Sequence, residues 1–450
     1  MSAQSLGEQT VDLLGRLVRL GCVNDLTADS GGEERAADLL EDFFAGLPVS
    51  IERITPHPGR TSLVVTVEGA DPRSAGTPLT LLGHTDVVPV DEAKWTRDPF
   101  GAQIEDDVMW GRGTVDMLHL TAAMAVITRE VARRAQAGEP PVRSLVFVAA
   151  ADEEARGGLG VPWIGENRPD AFPWDAALSE MGGAHIRGRR GGDGVVVVVG
   201  EKGAAQRRLH IRGDAGHGSV PLGRTSAVER LSQVSAALSA ARWPTATDEV
   251  WAGFVRAFEF DPATEASLIH GTYEGDYSEF GDLAAFAHAI SHVTVAQTVA
   301  HSGGPINVMP SHATLELDIR TLPGVDDDDV DAAITAALGD LAEHVTVERL
   351  LCEAATASSI DTDLYRAIEV ALTKRYPGAS VVPVLFPGGT DLRVARRRGG
   401  IGYGFGAVDS GASLGQVYSQ LHAHDEHIAL ADVRATVEVL HLVATTYLGA

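Results

Sequence analysis

Apolar residues recur along this chain in two rhythms. From Val11 to Leu20, and again through GGEERAADLLEDFFAGL, they fall at three- and four-residue intervals, which predicts amphipathic helices. TSLVVTVEG (Thr61 to Gly69) and LTLLGH (Leu79 to His84) are instead short, nearly continuous apolar runs, which predict buried strands. RSLVFVAAADEE and AALSEMGG are two further runs of this kind, each ending in acids. A long helical pattern starts at Leu120, in LTAAMAVITREVARRAQAG. Apolar strands alternating with helices predict an α/β fold: a mostly parallel sheet covered by helices on both faces.

After Gly200 the texture changes. AAQRRLHIRGDAG and HATLELDIRTLPG alternate apolar and polar residues, as strands with one wet face do. Helical patterns follow them at TSAVERLSQVSAALSAA and DDDVDAAITAALGDLAEHV. The α/β texture returns at DTDLYRAIEVALTKRYPG. This predicts a catalytic-type α/β domain from residues 1–200 and 357–450, interrupted by an α+β insert over 201–356. Between Trp243 and Gly303 the chain is rich in aromatics and weak in periodicity. These rings are expected to pack within the insert, with a substrate entrance as the alternative.

Composition narrows the class. The chain has 450 residues, 44% hydrophobic and 22% charged, which is globular. Acids outnumber bases 62 to 36, for a net charge of -26. A surface so acidic argues against a nucleic-acid partner. No apolar run approaches the ~20 residues of a membrane span. MSAQSLGEQTVDLLGRLVRLG lacks a basic n-region followed by an apolar h-region, so no signal peptide is expected. Two distant cysteines, Cys22 and Cys352, make no disulfide framework and fit a reducing cytoplasm.

Ligands of open α/β sheets bind outside the carboxyl ends of the strands. The polar residues at or near those ends are His84 and Asp86, Asp116, Asp152-Glu153-Glu154, Glu180 and His422. A lone strand-end His is usually a hydrogen-bonded surface residue, and Asp152 alone could be a helix cap. Five such ends together supply two imidazoles and several carboxylates, which is the N and O donor set of divalent metals.

The motifs GHTDVVPV, WGRGTVDM, ADEE, LSEMGG, GDAGHGSVP, INVMPSHATLELDIRTLPG, PGGTDLR and LHAHDEH occur in that order. Over about residues 80–430 the chain resembles the dizinc metallopeptidases and amidohydrolases: aminoacylase, acetylornithine deacetylase, succinyl-diaminopimelate desuccinylase, carboxypeptidase G and carnosine dipeptidase. The resemblance implies that His84 and Glu180 are terminal ligands of one metal, and Glu154 and His422 of the other. His424 competes with His422, but two residues separate the family's ligand from the acidic pair, which points to His422. Asp116 resembles the bridge between metals about 3.5–4 Å apart, and the peptide after it is cis in the family. Glu153 resembles the general base. Asp86 is expected to accept the second ring N–H of His84 and fix its orientation. The implied cofactors are two divalent ions, zinc first, with Co²⁺ and Mn²⁺ suiting the same ligands.

His217 resembles the family's histidine that reaches across a dimer to a tetrahedral oxyanion, so a homodimer is expected, with the insert as its lid and dimerisation domain. Asn307 and Arg320 resemble substrate binders, Arg320 for a substrate carboxylate, with Gly389 and Thr390 supplying N–H and hydroxyl groups to the same anion. A salt bridge along its own strand is the alternative for Arg320. Glu at position 180 resembles relatives that act on substrates with a free carboxylate. The expected substrate is an N-acyl amino acid, or a short peptide if the enzyme is a dipeptidase or carboxypeptidase. A catalytically silent paralogue would lack a ligand or the base, and neither is missing. Two departures stand out: Leu118-His119 replaces the Lys-Gly common after the bridging Asp, and the insert is longer than usual.

Overall fold

The computed structural model describes residues 5–70 and 76–449. The first four residues of the N-terminal stretch therefore lie outside the described part. Its backbone forms a ten-stranded sheet and a five-stranded sheet, with two small ladders beside them.

The large sheet runs in the order Ser50–His57, Arg60–Val67, Leu145–Ala150, Leu79–His84, Ala176–Ser179, Ile401–Gly404, Asp193–Glu201 and Thr356–Ala357. Ser380–Phe386 and His185–Arg187 also pair with Asp193–Glu201. The strands at its centre are parallel: Leu79–His84 pairs this way with both Leu145–Ala150 and Ala176–Ser179, and Ile401–Gly404 with Ala176–Ser179. Every residue of Leu79–His84 and of Leu145–Ala150 is buried. Their continuous apolar sequence is what covering both faces requires.

Helices Leu6–Leu20, Leu118–Gln136, Asp363–Arg375 and Leu430–Leu448 cover one face. Leu13, Leu14, Leu17 and Val18, at helical spacing, carry the first of these into the core. Ser5 caps it, accepting the Glu8 N–H, and Gly21 ends it with φ of +56°. A close contact sets the place of Leu118–Gln136. A Cβ on Gly83 would lie 2.6 Å from Thr121 Oγ1, so only glycine lets the helix sit against the strand beside His84.

Pairing switches sheets between Glu201 and Gly203, and back between Arg349 and Thr356. In between, His312–Thr321 is central to the five-stranded sheet and pairs with three of the other strands. Ala313, Leu315, Leu317 and Ile319 are buried, while Glu316, Asp318 and Arg320 take the other face.

The aromatic stretch packs within the insert, as expected, and reaches beyond it. Trp251, Phe254, Phe258, Phe260, Tyr277 and Phe280 are buried, with ring centroids 4.7 Å apart for Phe258 and Phe280 and 5.9 Å for Phe254 and Phe280. Their core includes Val196, Val198, Val382 and Val384 of the large sheet, and helix Glu249–Ala257 packs on strand Ser380–Phe386. The stretch thus covers a face of the large sheet as well as its own surroundings. Weak periodicity follows from the length of the elements: helices Glu249–Ala257, Pro262–Ile269 and Ala284–Ser291 run only two turns or so each, too short for a sustained apolar repeat.

Candidate metal centre

Three parallel strands deliver the centre. His84 is the last residue of its strand and pairs with Ala150, the last of its neighbour. Glu180 follows Ser179 on the other side. The carboxyl ends of the three strands thus share one edge. Asp116 comes from the turn before helix Leu118–Gln136, and its peptide bond to Met117 is cis. His422 comes from a late turn, with φ of +60°.

Asp116 lies between the two histidines. Its Oδ1 is 3.3 Å from His84 Nε2 and its Oδ2 is 3.4 Å from His422 Nε2. His84 Nε2 is also 3.8 Å from Glu180 Oε2, and His422 Nε2 is 3.2 Å from Glu154 Oε2. Two groups bring their ligand atoms within 4.8 Å of one another: His84, Asp116 and Glu154, and His84, Glu153 and Glu180. His422 stands outside both and is linked through Asp116 and Glu154.

The electrostatics call for cations here. Burial pushes the Glu154 carboxyl up to about 7 and Glu180 up to about 8, with Asp116 adding to each. Glu153 is pushed well above the usual range by burial and by Glu180. Burial would raise Asp116 too, but hydrogen bonds from His422 and His84 hold it below its ordinary value. The same contacts with Asp116 and Glu154 lift His422 to about 10. Glu180 Oε2 is buried with no hydrogen-bond partner among the described residues. Protons thus take the place of positive charge that metal ions would bring, and the residues present fit divalent metals.

Asp116, Glu153, Glu154, Glu180 and His422 line one side of a cavity of about 460 Å³. Arg320 and Gly389 line it as well. Arg320 is held along its own strand by Asp318, at 2.8 and 3.1 Å, so the salt bridge and the cavity position coexist. Thr390 is turned away from the cavity. It is buried, and its backbone N–H and side chain go to the buried Glu201 carboxylate. That carboxylate demands donors, which leaves Thr390 nothing for a substrate anion. His217 and Asn307 lie outside the cavity and together. His217 pairs with Val308 in a two-residue ladder, and the Asn307 carbonyl accepts the Gly218 N–H at 2.7 Å. Both are exposed.

Residues 80–446 match Peptidase family M20/M25/M40. The chain belongs to this family. The matched span contains every candidate ligand. The chain is 27% identical over 348 residues to a probable carboxypeptidase S-like 2 of Dictyostelium discoideum, covering 74% of this chain and 64% of that protein. It is 26% identical over 308 residues to the acetylornithine deacetylase of Erwinia tasmaniensis, covering 68% and 65%. The match therefore spans slightly under two thirds of these relatives' own lengths. The fold is similar to an M20 family metallo-carboxypeptidase of Sulfolobus solfataricus, with a TM-score of 0.70 at 18% identity over 98% of this chain and 100% of that one.

Support of the centre in this M20 chain differs from expectation at Asp86. The His84 Nδ1 is 2.9 Å from the backbone carbonyl of Asp86 and 3.5 Å from its carboxylate. The carboxylate instead accepts the N–H groups of Glu153 and Glu154, at 3.2 and 3.1 Å, and the Asn24 amide at 2.8 Å. Residues 153–154 are therefore held by Asp86, while the ring leans on backbone.

Sequence reasoning missed the layer beneath. Asn24 also donates to Asp152 at 3.0 Å. Arg60 and Glu33 pair at 2.6 Å with neither side chain exposed, and Glu33 accepts the Asp152 N–H at 3.2 Å. Glu426 accepts from Gly113, Val115 and Asp116 backbone at 3.0, 2.7 and 3.2 Å, and from Arg112 at 2.7 Å. Only Glu426 had a signal, as the acid of the pair after His422. His119, the departure after Asp116, faces a second cavity of about 230 Å³ behind Glu180. Its Nδ1 is buried without a partner among the described residues, and burial pushes the ring down to about 4.

Proposed function

We propose that this chain hydrolyses an amide bond in N-acyl amino acids or short peptides with a free C-terminal carboxylate. One observation carries the reading: Asp116 between His84 and His422, beside Glu153, in a cavity that Arg320 also lines. His84, Asp116 and Glu180 would hold one divalent metal, and Asp116, Glu154 and His422 the other. Zinc suits this donor set first, and Co²⁺ and Mn²⁺ also fit it. Bound there, the metals supply Lewis acidity and bring the ionisation of water towards neutrality.

The remaining steps belong to the chain's own residues. Glu153 takes the proton of the attacking water and returns it to the leaving amine. Its burial favours the proton-holding form, which suits the second half of that task. Arg320 pairs with the substrate carboxylate, trading or sharing its contact with Asp318. Gly389 adds a backbone N–H. His217, exposed and not among the residues that line the cavity of its own chain, serves the oxyanion of a second copy, in a homodimer joined through the 201–356 lid domain. Val220, Leu222, Ile306 and Val308 are exposed around it, an apolar surface that such a dimer covers. The place of work is the cytoplasm, in keeping with two free cysteines.

A dipeptidase or carboxypeptidase on the same centre is the second reading, and two of the similar proteins are carboxypeptidases by name. The test is release of amine by metal-loaded enzyme from paired acetyl-amino acids and dipeptides, each also as its C-terminal amide. Chelator-sensitive cleavage confined to free carboxylates supports the reading, and the better pair selects between its branches. Equal cleavage of the amides removes the role of Arg320. No cleavage by metal-loaded enzyme overturns the hydrolase.

A further inference from the structure

In a chain of 62 acids and 36 bases, one wall of the cavity is markedly basic. Arg156, Lys202, Arg320, Arg393 and Arg397 line it, against Glu201 and Glu353 outside the metal cluster. The acids do not cancel this wall. Glu201 is buried and paired to Arg396 at 2.9 Å. Glu353 meets Arg156 at 3.5 Å with both side chains partly exposed, a pair of small strength. Two of the cations are already committed. The Lys202 ammonium donates to the carbonyls of Ala289 and His292 and to Thr294 Oγ1, and Arg320 is held by Asp318.

Three arginines remain, and they are built as a unit. Arg393 and Arg397 are four residues apart on helix Leu392–Arg397, so they share a face. Arg393 is buried, 4.0 Å from Glu153, and donates to the carbonyls of Thr390 and Arg156 at 2.7 and 3.0 Å. It therefore fixes the backbone from which Arg156 projects. Arg397 donates to the Ala354 carbonyl at 3.1 Å, next to the Glu353 that meets Arg156. Arg156 and Arg397 thus flank the same two residues, with free guanidinium N–H groups at the cavity rim.

We infer that Arg156 and Arg397 form a second anion subsite, and that the substrate carries a further carboxylate besides the one assigned to Arg320. The inference deepens the proposed amidohydrolase, on which it rests for the words substrate and hydrolysis. The carboxylate belongs either to an acidic amino acid released as the amine or to a dicarboxylic acyl group. In both cases a planar guanidinium offers two parallel donors to it, in a cleft whose basic wall concentrates the field.

Binding is measured first, by calorimetry on metal-loaded Glu153→Gln, which spares the ligand. N-acetylglutamate is compared with N-acetylglutamine, and N-succinyl-leucine with N-succinamoyl-leucine, in which only the acyl carboxylate has become an amide. The charged member of at least one pair is expected to bind about tenfold tighter, the scale of a hydrogen bond to a charged group, and that pair identifies the source of the carboxylate. Adding Arg156→Gln with Arg397→Gln reduces the preference to under twofold. Arg242→Gln with Arg366→Gln, exposed and outside this cleft, leaves it intact. Equal binding within both pairs overturns the inference, as does a preference that survives loss of Arg156 and Arg397. In the otherwise wild-type enzyme the same pairs are compared by kcat/KM. Hydrolysis without a charge preference defeats the subsite and leaves the hydrolase standing. A binding preference without any hydrolysis does the reverse.

Discussion

The carboxylate of Asp86 accepts the backbone N–H of Glu154 at 3.1 Å. A residue at the end of one strand thus orients a candidate ligand at the end of the next. The same carboxylate takes the Glu153 N–H and the Asn24 amide. Asp86→Ala leaves three buried donors unpaired, each worth roughly 1–3 kcal/mol. The expected result is a markedly less stable protein whose metal affinity falls about 10–100-fold. Chemical denaturation and metal titration measure the two effects. Unchanged metal affinity would remove Asp86 from the support of the centre.

Glu153 belongs by geometry to a group that could ligate, with His84 and Glu180. As a base it must be dispensable for metal. Glu153→Gln is expected to keep two metals per chain and to lose roughly 10²–10⁴-fold in kcat. Metal analysis beside steady-state kinetics separates the roles, since loss of one metal equivalent would make Glu153 a ligand instead.

Arg60 and Glu33 are both fully buried, and Glu33 also supports Asp152. Breaking such a pair leaves an uncompensated charge. Arg60→Met is expected to cost roughly 3–5 kcal/mol in urea denaturation. Arg60→Met combined with Glu33→Gln is expected to recover part of that. A loss below 1 kcal/mol for the single variant would show the pair to be inert.

The metal-free centre makes stability depend on pH. Glu154 and Glu180 are raised from 4.5 to about 7 and about 8 in the fold. The native state therefore holds more protons than the unfolded chain between those values. Their contribution is fully present below pH 4.5 and is lost as pH rises through about 8. Metal-free protein should lose thermal stability from pH 5 to pH 8, and zinc should raise Tm more at pH 8 than at pH 5, because binding needs the deprotonated ligands. A stabilisation by zinc that is larger at pH 5 would contradict the ligand set.

His217 lies outside the cavity of its own chain, and a role in a second copy predicts complementation. Mixed and refolded, inactive His217→Ala and inactive Glu153→Gln chains should regain about a quarter of wild-type activity, since half the dimers are mixed and each carries one complete site. No recovery, in a mixture that size exclusion shows to be dimeric, would place the action of His217 elsewhere.

Much of the centre was legible because parallel strands write their ends plainly. A buried strand is a continuous apolar run, and the first polar residue after it marks the sheet edge. His84, Glu153-Glu154 and Glu180 were found this way. The sequence was mute on Asn24, Arg60 and Glu33. Each looks like an ordinary polar residue, and only a buried carboxylate beside it gives it a task. Thr390 shows the opposite failure. Its motif points to a ligand site, but the acid that claims it, Glu201, lies 189 residues away in the chain.

By itself the sequence determined the alternation of strands and helices, the chemistry gathered at the strand ends and the place where the α/β texture breaks off. These are local properties, set by side-chain period and by residue type. Tertiary structure decided which oxygen of Asp86 serves which partner, that the aromatic stretch covers a face of the large sheet, and that Arg156, Arg393 and Arg397 meet on one wall. Those outcomes depend on contacts between segments far apart in the chain. A buried carboxylate or guanidinium must find its partners wherever folding brings them, and no local pattern records that need.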